Sequence, residues 1–261
     1  MTLSPTIESD LAAAAFGNQP ERWPLPPANT PRQFWLRAVA AGGQGRYANA
    51  RNDLATLLRS APGDRLASLA HSTQASFLRQ LGWHRLARGW DGRALALAGA
   101  DGEAAADALI GLAADALGVG RLAAAATLLS RAEPLVAEAP HRLSIRQAWV
   151  AAELAMAGGD GAAAVRHAEL AVELATTASA RHRAKSDVVL AASLCSAGAV
   201  ERARTLGATA LELTGQLGLV PLRWAIACLL ADIGSPTRSI EELRDECARQ
   251  VQHWGGTWAQ R

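Results

Sequence analysis

Gly159-Asp160-Gly161-Ala162-Ala163-Ala164-Val165-Arg166-His167-Ala168-Glu169-Leu170-Ala171-Val172-Glu173-Leu174-Ala175 reads as a turn followed by a helix that must lie close to a neighbour. The Gly-Asp pair opens a tight reversal, and Ala164 and Ala171 then fall seven residues apart on one helix face. The arrangement recurs along the chain. Glycines stand at Gly45, Gly82, Gly120, Gly159 and Gly198, and alanines follow five residues later at Ala50, Ala87, Ala125, Ala164 and Ala203. Seven further on come Leu57, Ala94, Ala132, Ala171 and Ala210. The spacing of about 37–39 residues lies in the range of helical solenoids. A glycine ending the first helix of each pair can take the left-handed backbone that other residues resist, so the chain reverses in two or three residues. Small residues at fixed offsets let two antiparallel helices approach closely. One such pair cannot cover its own apolar face and must stack on the next.

On these residues the chain resembles the tetratricopeptide-repeat family. Gly159-Asp160 with Ala164 and Ala171 matches the family's second-helix signature. So does Gly45-Arg46-Tyr47 with Ala50, Leu57 and Pro62, where Tyr47 and Pro62 fill two further signature places. In the other repeats His84, Leu122 and Val200 replace the tyrosine, the closing proline is absent, and the period exceeds the family's usual 34. The resemblance spans roughly residues 32 to 254. It implies an all-α fold, a right-handed α-solenoid of about six helix pairs over residues 32–261 that ends in a capping helix. Residues 1–31 would precede it as a short helix and a proline-rich arm. In proteins of this type the first helices of the pairs line the concave face and often bind extended peptides.

Composition agrees with a helical chain. Half of the 261 residues are hydrophobic, dominated by alanine and leucine, and 5% are aromatic, which suits helices and argues against a β-rich fold. Eight of the aromatics are tryptophan. A net charge of +2 is too small to imply nucleic acid or an anionic membrane by itself. Cys195, Cys228 and Cys247 are widely spaced, without a metal or disulfide pattern, as in a reducing cytosol. Glu8 and Asp10 precede a short apolar run without a basic leader, and Val188 to Val200 is too short to cross a bilayer. The expectation is a cytoplasmic protein without a membrane partner.

Taken in order, Ser4 and Pro5 would start a helix reaching residue 16. Pro20, Pro24, Pro26, Pro27 and Pro31 then force an extended segment, either a solvated linker or an arm that buries Trp23 and Leu25 on the array. The pairs are expected at about 32–42 with 46–60, 64–81 with 84–98, and 103–117 with 121–138. The others fall at about 142–157 with 162–177, 180–196 with 201–217, and after Pro221 to Asp232 with Ser239 to Trp254. Asp64 is a candidate N-cap, Pro134 should kink or end its helix, and Ser239 with Glu242 resembles a capping box.

No enzyme constellation emerges. Gly42-Gly43-Gln44-Gly45 lacks the lysine of a P-loop, and Gly118-Val119-Gly120-Arg121-Leu122-Ala123 matches a loose GxGxxA but follows a helix rather than a strand. The six histidines form no HExxH and pair with no cysteine at ligand spacing. No cofactor or metal is expected. The run Arg181-His182-Arg183-Ala184-Lys185 is the densest positive patch; it reads as a solvated helix start, with too few stacking aromatics for nucleic acid.

The informative surface comes from the resemblance. Ten residues before each turn glycine, counting Gly234 for the last, stand Trp35, Ser72, Ile110, Trp149, Val188 and Trp224. Tryptophan at three of these six places is a strong enrichment. Neighbours one turn away include Arg146, Glu153 and Met156, with Arg79, Lys185, Cys195 and Cys228 on other helices. The tryptophans either fill gaps between helices or line an apolar groove with charged anchors, suited to a peptide or partner helix. The expected role is a non-catalytic scaffold that binds a protein or peptide in the concave groove. The alternative is a sensor that binds a small molecule or signalling peptide and acts through a transcriptional partner.

Overall fold

A computed structural model of the chain describes residues 6–60, 65–234 and 238–260. They form helices and no strand: α1 (Ile7–Phe16), α2 (Pro31–Gly43), α3 (Tyr47–Ser60), α4 (Arg65–Gln80), α5 (His84–Ala98), α6 (Gly102–Gly118) and α7 (Leu122–Val136). These continue as α8 (Arg142–Ala157), α9 (Gly161–Ala175), α10 (Ala180–Ser196), α11 (Val200–Gln216), α12 (Val220–Asp232) and α13 (Arg238–His253). The same turn recurs between them. Gly159 has φ 77° and donates to the Met156 carbonyl, while Asp160 donates to the Ala155 carbonyl at 2.9 Å. Gly45, Gly82, Gly120 and Gly198 repeat both features. This is the αL ending that satisfies the orphan carbonyls of a helix and reverses the chain.

Consecutive helices pack against each other: α2 on α3, α4 on α5, α6 on α7, α8 on α9, α10 on α11 and α12 on α13. The even-numbered helices also touch in succession from α2 to α12, forming one continuous layer. All ten small or leucine positions of the repeated pattern, from Ala50 to Ala210, are buried. Their size is what admits the neighbouring backbone.

Local expectations are corrected in a few places. Helix α1 starts at Ile7 because Thr6, not Ser4, accepts the Ser9 N–H; Ser4 and Pro5 lie outside the described residues. Helix α12 starts at Val220, with Pro221 in its first turn, where a missing N–H leaves nothing unsatisfied. Pro134 lies inside α7, which ends at Val136. Ser239 is the second residue of α13, and Pro62, Asp64, Ser235 and Pro236 fall outside the described residues.

The ends of the chain meet. The Ala48 N–H donates to the Trp254 carbonyl at 2.9 Å, and the Ala259 N–H to the Leu81 carbonyl at 2.8 Å. The Trp83 indole donates to the Thr257 carbonyl at 2.7 Å. The Arg51 guanidinium reaches the Gly255 carbonyl at 2.6 Å. The proline-rich arm lies on the array as well. Gln44 Nε2 donates to the Pro20 and Arg22 carbonyls, Leu25 packs against the core, and the Arg46 guanidinium sits between the rings of Trp23 and Trp254 at 4.0 and 3.9 Å. Among the described residues no helix is long and apolar enough to cross a membrane.

Candidate functional site

The even-numbered helices line a partly open cavity of about 450 Å³. Its walls follow helical periodicity. On α8 the stripe is Arg142, Arg146, Trp149 and Glu153; on α10 it is Arg181 and Lys185; on α2 it is Trp35, Val39 and Gly43. Ser72 and Arg79 of α4 and Trp224 of α12 complete the places that counting back from the turn glycines selects. Helix α1 adds Phe16.

Five selected residues do not reach the cavity. Val188 continues the α10 stripe but is buried with Ile226 and Leu230 of α12. Met156 continues the α8 stripe one turn past Glu153, where its sulfur accepts from the Ser193 hydroxyl at 3.7 Å. Ile110 belongs to the core, and Cys195 and Cys228 lie off the lining.

The tryptophans serve both the packing and the lining. Trp35 is nearly buried, donates to Thr73 Oγ1 at 3.1 Å and packs on the Phe16 ring at 5.3 Å. Trp149 is half-buried. Its indole donates to Ser186 Oγ at 2.9 Å, its ring stacks on His182 at 5.5 Å, and Lys185 Nζ lies 5.6 Å from the ring centre. Trp224, also half-buried, packs on Trp258 at 4.2 Å. Each ring therefore has one side fixed by protein while the residue still borders the cavity.

Charge is arranged unevenly. Arg79, on the α4 side of the lining, donates to Asp91, to Asp115 at 2.9 Å and to the Gly111 carbonyl at 3.2 Å. A Cβ on Gly111 would stand 2.3 Å from Asp91 Oδ2, so only glycine admits that carboxylate. Burial pushes the Asp91 carboxyl up to about 6, against the pull of Arg79. On the cavity side, Asp107 of α6 accepts ion pairs from both Arg142, at 3.0 Å, and Arg146. Arg142 also pairs with Glu103 at 2.8 Å, which Arg65 shares. Lys185 pairs with Glu153 at 3.2 Å. Arg181 donates to the Val39 carbonyl at 3.0 Å, joining α10 to α2. Burial lowers Arg146 to about 10, helped by Arg79 and Arg181, and lowers Arg181 to about 10, helped by Arg142. Burial also holds the His182 imidazole well below its ordinary value, with Arg181, Arg142 and Arg146 adding to the effect.

The basic run at 181–185 is thus not a solvated helix start. His182 is buried against Trp149, Arg181 and Lys185 line the cavity, and Arg183 alone of its cations turns aside to Asn18 and the Ala178 carbonyl. Arg142, Asp107 and Phe16 were also missed by counting back from glycines. Arg142 was within reach of that method, since it stands one turn before Arg146 on the same stripe. Chemically, the arrangement offers aromatic walls, several guanidinium donors and carboxylates already engaged by cations. A scan against models of known protein families matches none, and a search of curated proteins finds no match.

Proposed function

We propose that this chain is a non-catalytic binding protein, a tetratricopeptide-like right-handed solenoid of about six helix pairs. Its concave cavity holds a small molecule or a short signalling peptide, and the loaded protein acts through a protein partner. The observation that carries this reading is the convergence of all six even-numbered helices, joined by Phe16 of α1, on one aromatic-walled cavity of about 450 Å³, a size typical of small-ligand sites. An extended protein segment along the groove is the less favoured occupant. The concave side is crossed where Arg181 of α10 bonds to Val39 of α2 and where the C-terminal tail lays Trp258 on Trp224. Binding rather than turnover is favoured because Asp107 and Glu153 are tied to cations and His182 is engaged by the Ser179 hydroxyl.

The test is a thermal-shift screen of small molecules against the wild type and Trp149→Ala. The expected result is a set of compounds that raises the melting temperature of the wild type alone, with the helical content of the variant unchanged. The reading fails if no compound discriminates between the two proteins. It also fails if Trp149→Ala by itself loses the ~3–5 kcal/mol expected of a core aromatic.

A further inference from the structure

Resting on the reading of the cavity as a ligand site, we infer that its ligand is a small oxyanion, a carboxylate or phosphate monoester carried on a flat apolar body. Charge on the cavity wall is unbalanced. Three guanidiniums, those of Arg142, Arg146 and Arg181, line one side of the cavity. Asp107 serves both Arg142 and Arg146, and Glu103 is divided between Arg142 and Arg65. Among the described residues no carboxylate stands within ion-pair distance of Arg181, whose hydrogen bond goes to the neutral Val39 carbonyl. A guanidinium carries five N–H donors in a planar fork, so most of the donor capacity of Arg181 is unused. Charges withdrawn from water are ordinarily paired, and a planar oxyanion matches the fork of arginine two bonds at a time.

Space at this point is created by the sequence. A Cβ on Gly43 would stand 2.8 Å from Arg181 Nη1, so glycine on α2 leaves the guanidinium its place at the cavity wall. Burial lowers the proton affinity of both Arg181 and Arg146, with Arg142 repelling the first and Arg79 and Arg181 the second, and a bound anion would relieve it. The remaining walls specify the body of the ligand. Phe16, Trp35, Trp149 and Trp224 offer aromatic surface, and Lys185 is neutralised by Glu153. Aromatic faces favour a flat partner.

The experiment titrates the intact protein with 1-naphthoate, 1-naphthyl phosphate and the neutral 1-naphthylmethanol, followed by tryptophan fluorescence and calorimetry. At least one anion should bind roughly tenfold or more tightly than the alcohol, as charge-assisted hydrogen bonds require, and added salt should narrow the gap. Comparison of the two anions identifies the oxyanion. Arg181→Gln should bring anion binding down to the level of the alcohol, while Arg183→Gln, which lies off the cavity, should leave the preference intact. If Arg181→Gln unfolds the chain through loss of its bond to Val39, the preference of the wild type decides. Equal binding of alcohol and anions overturns the inference and leaves the ligand-site reading standing. Binding of none of the three counts against both, and a preference that survives in folded Arg181→Gln overturns the role given to that residue.

Discussion

The seam where the chain's ends meet and the middle of the array are held together by different chemistry. At the seam, Phe16, Trp35, Tyr47, Phe77, Trp83, Trp224, Trp254 and Trp258 share one cluster that joins α1–α4 to α12, α13 and the tail. In the middle, the clusters of α6–α8 and α10–α12 are built from alanine, leucine, valine and isoleucine. Neighbouring helices in the middle are already brought together by short turns, so close backbone approach at alanines is enough. At the seam the partners are far apart in sequence, as with Arg51 and Gly255, 204 residues apart. Closing so long a segment costs more conformational entropy than closing a short turn, and large aromatic surfaces are the means of offsetting it. The tryptophan enrichment of this chain is therefore largely a property of closure.

Removing the tail should give the largest effect. A chain ending at His253 loses Trp254, Trp258 and the main-chain bonds to Ala48 and Leu81. The loss expected in urea denaturation exceeds the ~3–5 kcal/mol typical of deleting one core aromatic. Trp224, uncovered on the side of Trp258, should shift its emission to the red. A loss below ~1 kcal/mol with unchanged emission would show that the seam contributes little and would erase the contrast with the middle.

How much of this was legible in the sequence follows from the same contrast. The middle announces itself, because one glycine and two small residues per repeat record the turn and the helix–helix contact directly. Eight cavity residues, among them Trp149 and Arg79, were reachable by counting from those glycines, since positions along one helix stripe share a face. Closure left weaker marks. The bonds of Ala48 and Ala259 are made by main chain, which any residue supplies, and Thr257 and Gly255 contribute only carbonyls. Arg181 was misread for a related reason: the carbonyl that receives it, on Val39, lies 142 residues away and has no side-chain signature. Val188 and Met156 sit on the correct stripes, but no local pattern says where along α8 and α10 the cavity stops.

In the middle, the effect should be intermediate and strictly sided. Ala164 is buried against the paired helix, and Arg166 two residues on is exposed. Ala164→Leu should cost ~1–3 kcal/mol through overpacking, whereas Arg166→Ala should stay within ~0.5 kcal/mol. Calorimetric melting of both variants checks this. Equal, negligible changes would mean that alanine at this place is not what sets the helix spacing.

The smallest effect is a pH dependence centred on His182, which lies in the middle but faces the cavity. The imidazole is buried beside Arg181, and Arg142, Arg146 and His141 add positive potential, so the folded chain binds a proton there less readily than the unfolded chain. Acid must then favour unfolding. The contribution of His182 is complete above the ordinary value of 6.5 and is lost as pH falls toward the depressed folded-state value. One such group changes stability by at most ~1.4 kcal/mol for each pH unit. His71 and His84, both lowered by burial, act in the same direction, while Asp91, raised by burial to about 6, acts in the opposite one. The wild-type curve alone therefore mixes several groups, and the difference between wild type and His182→Gln isolates one. That difference should be flat from pH 8 to 7 and should move in favour of the variant as pH drops from 6.5 to 5. A difference independent of pH would mean that His182 is protonated as easily in the folded chain as outside it, and that the cavity wall beside Arg181 is wetter than its burial implies.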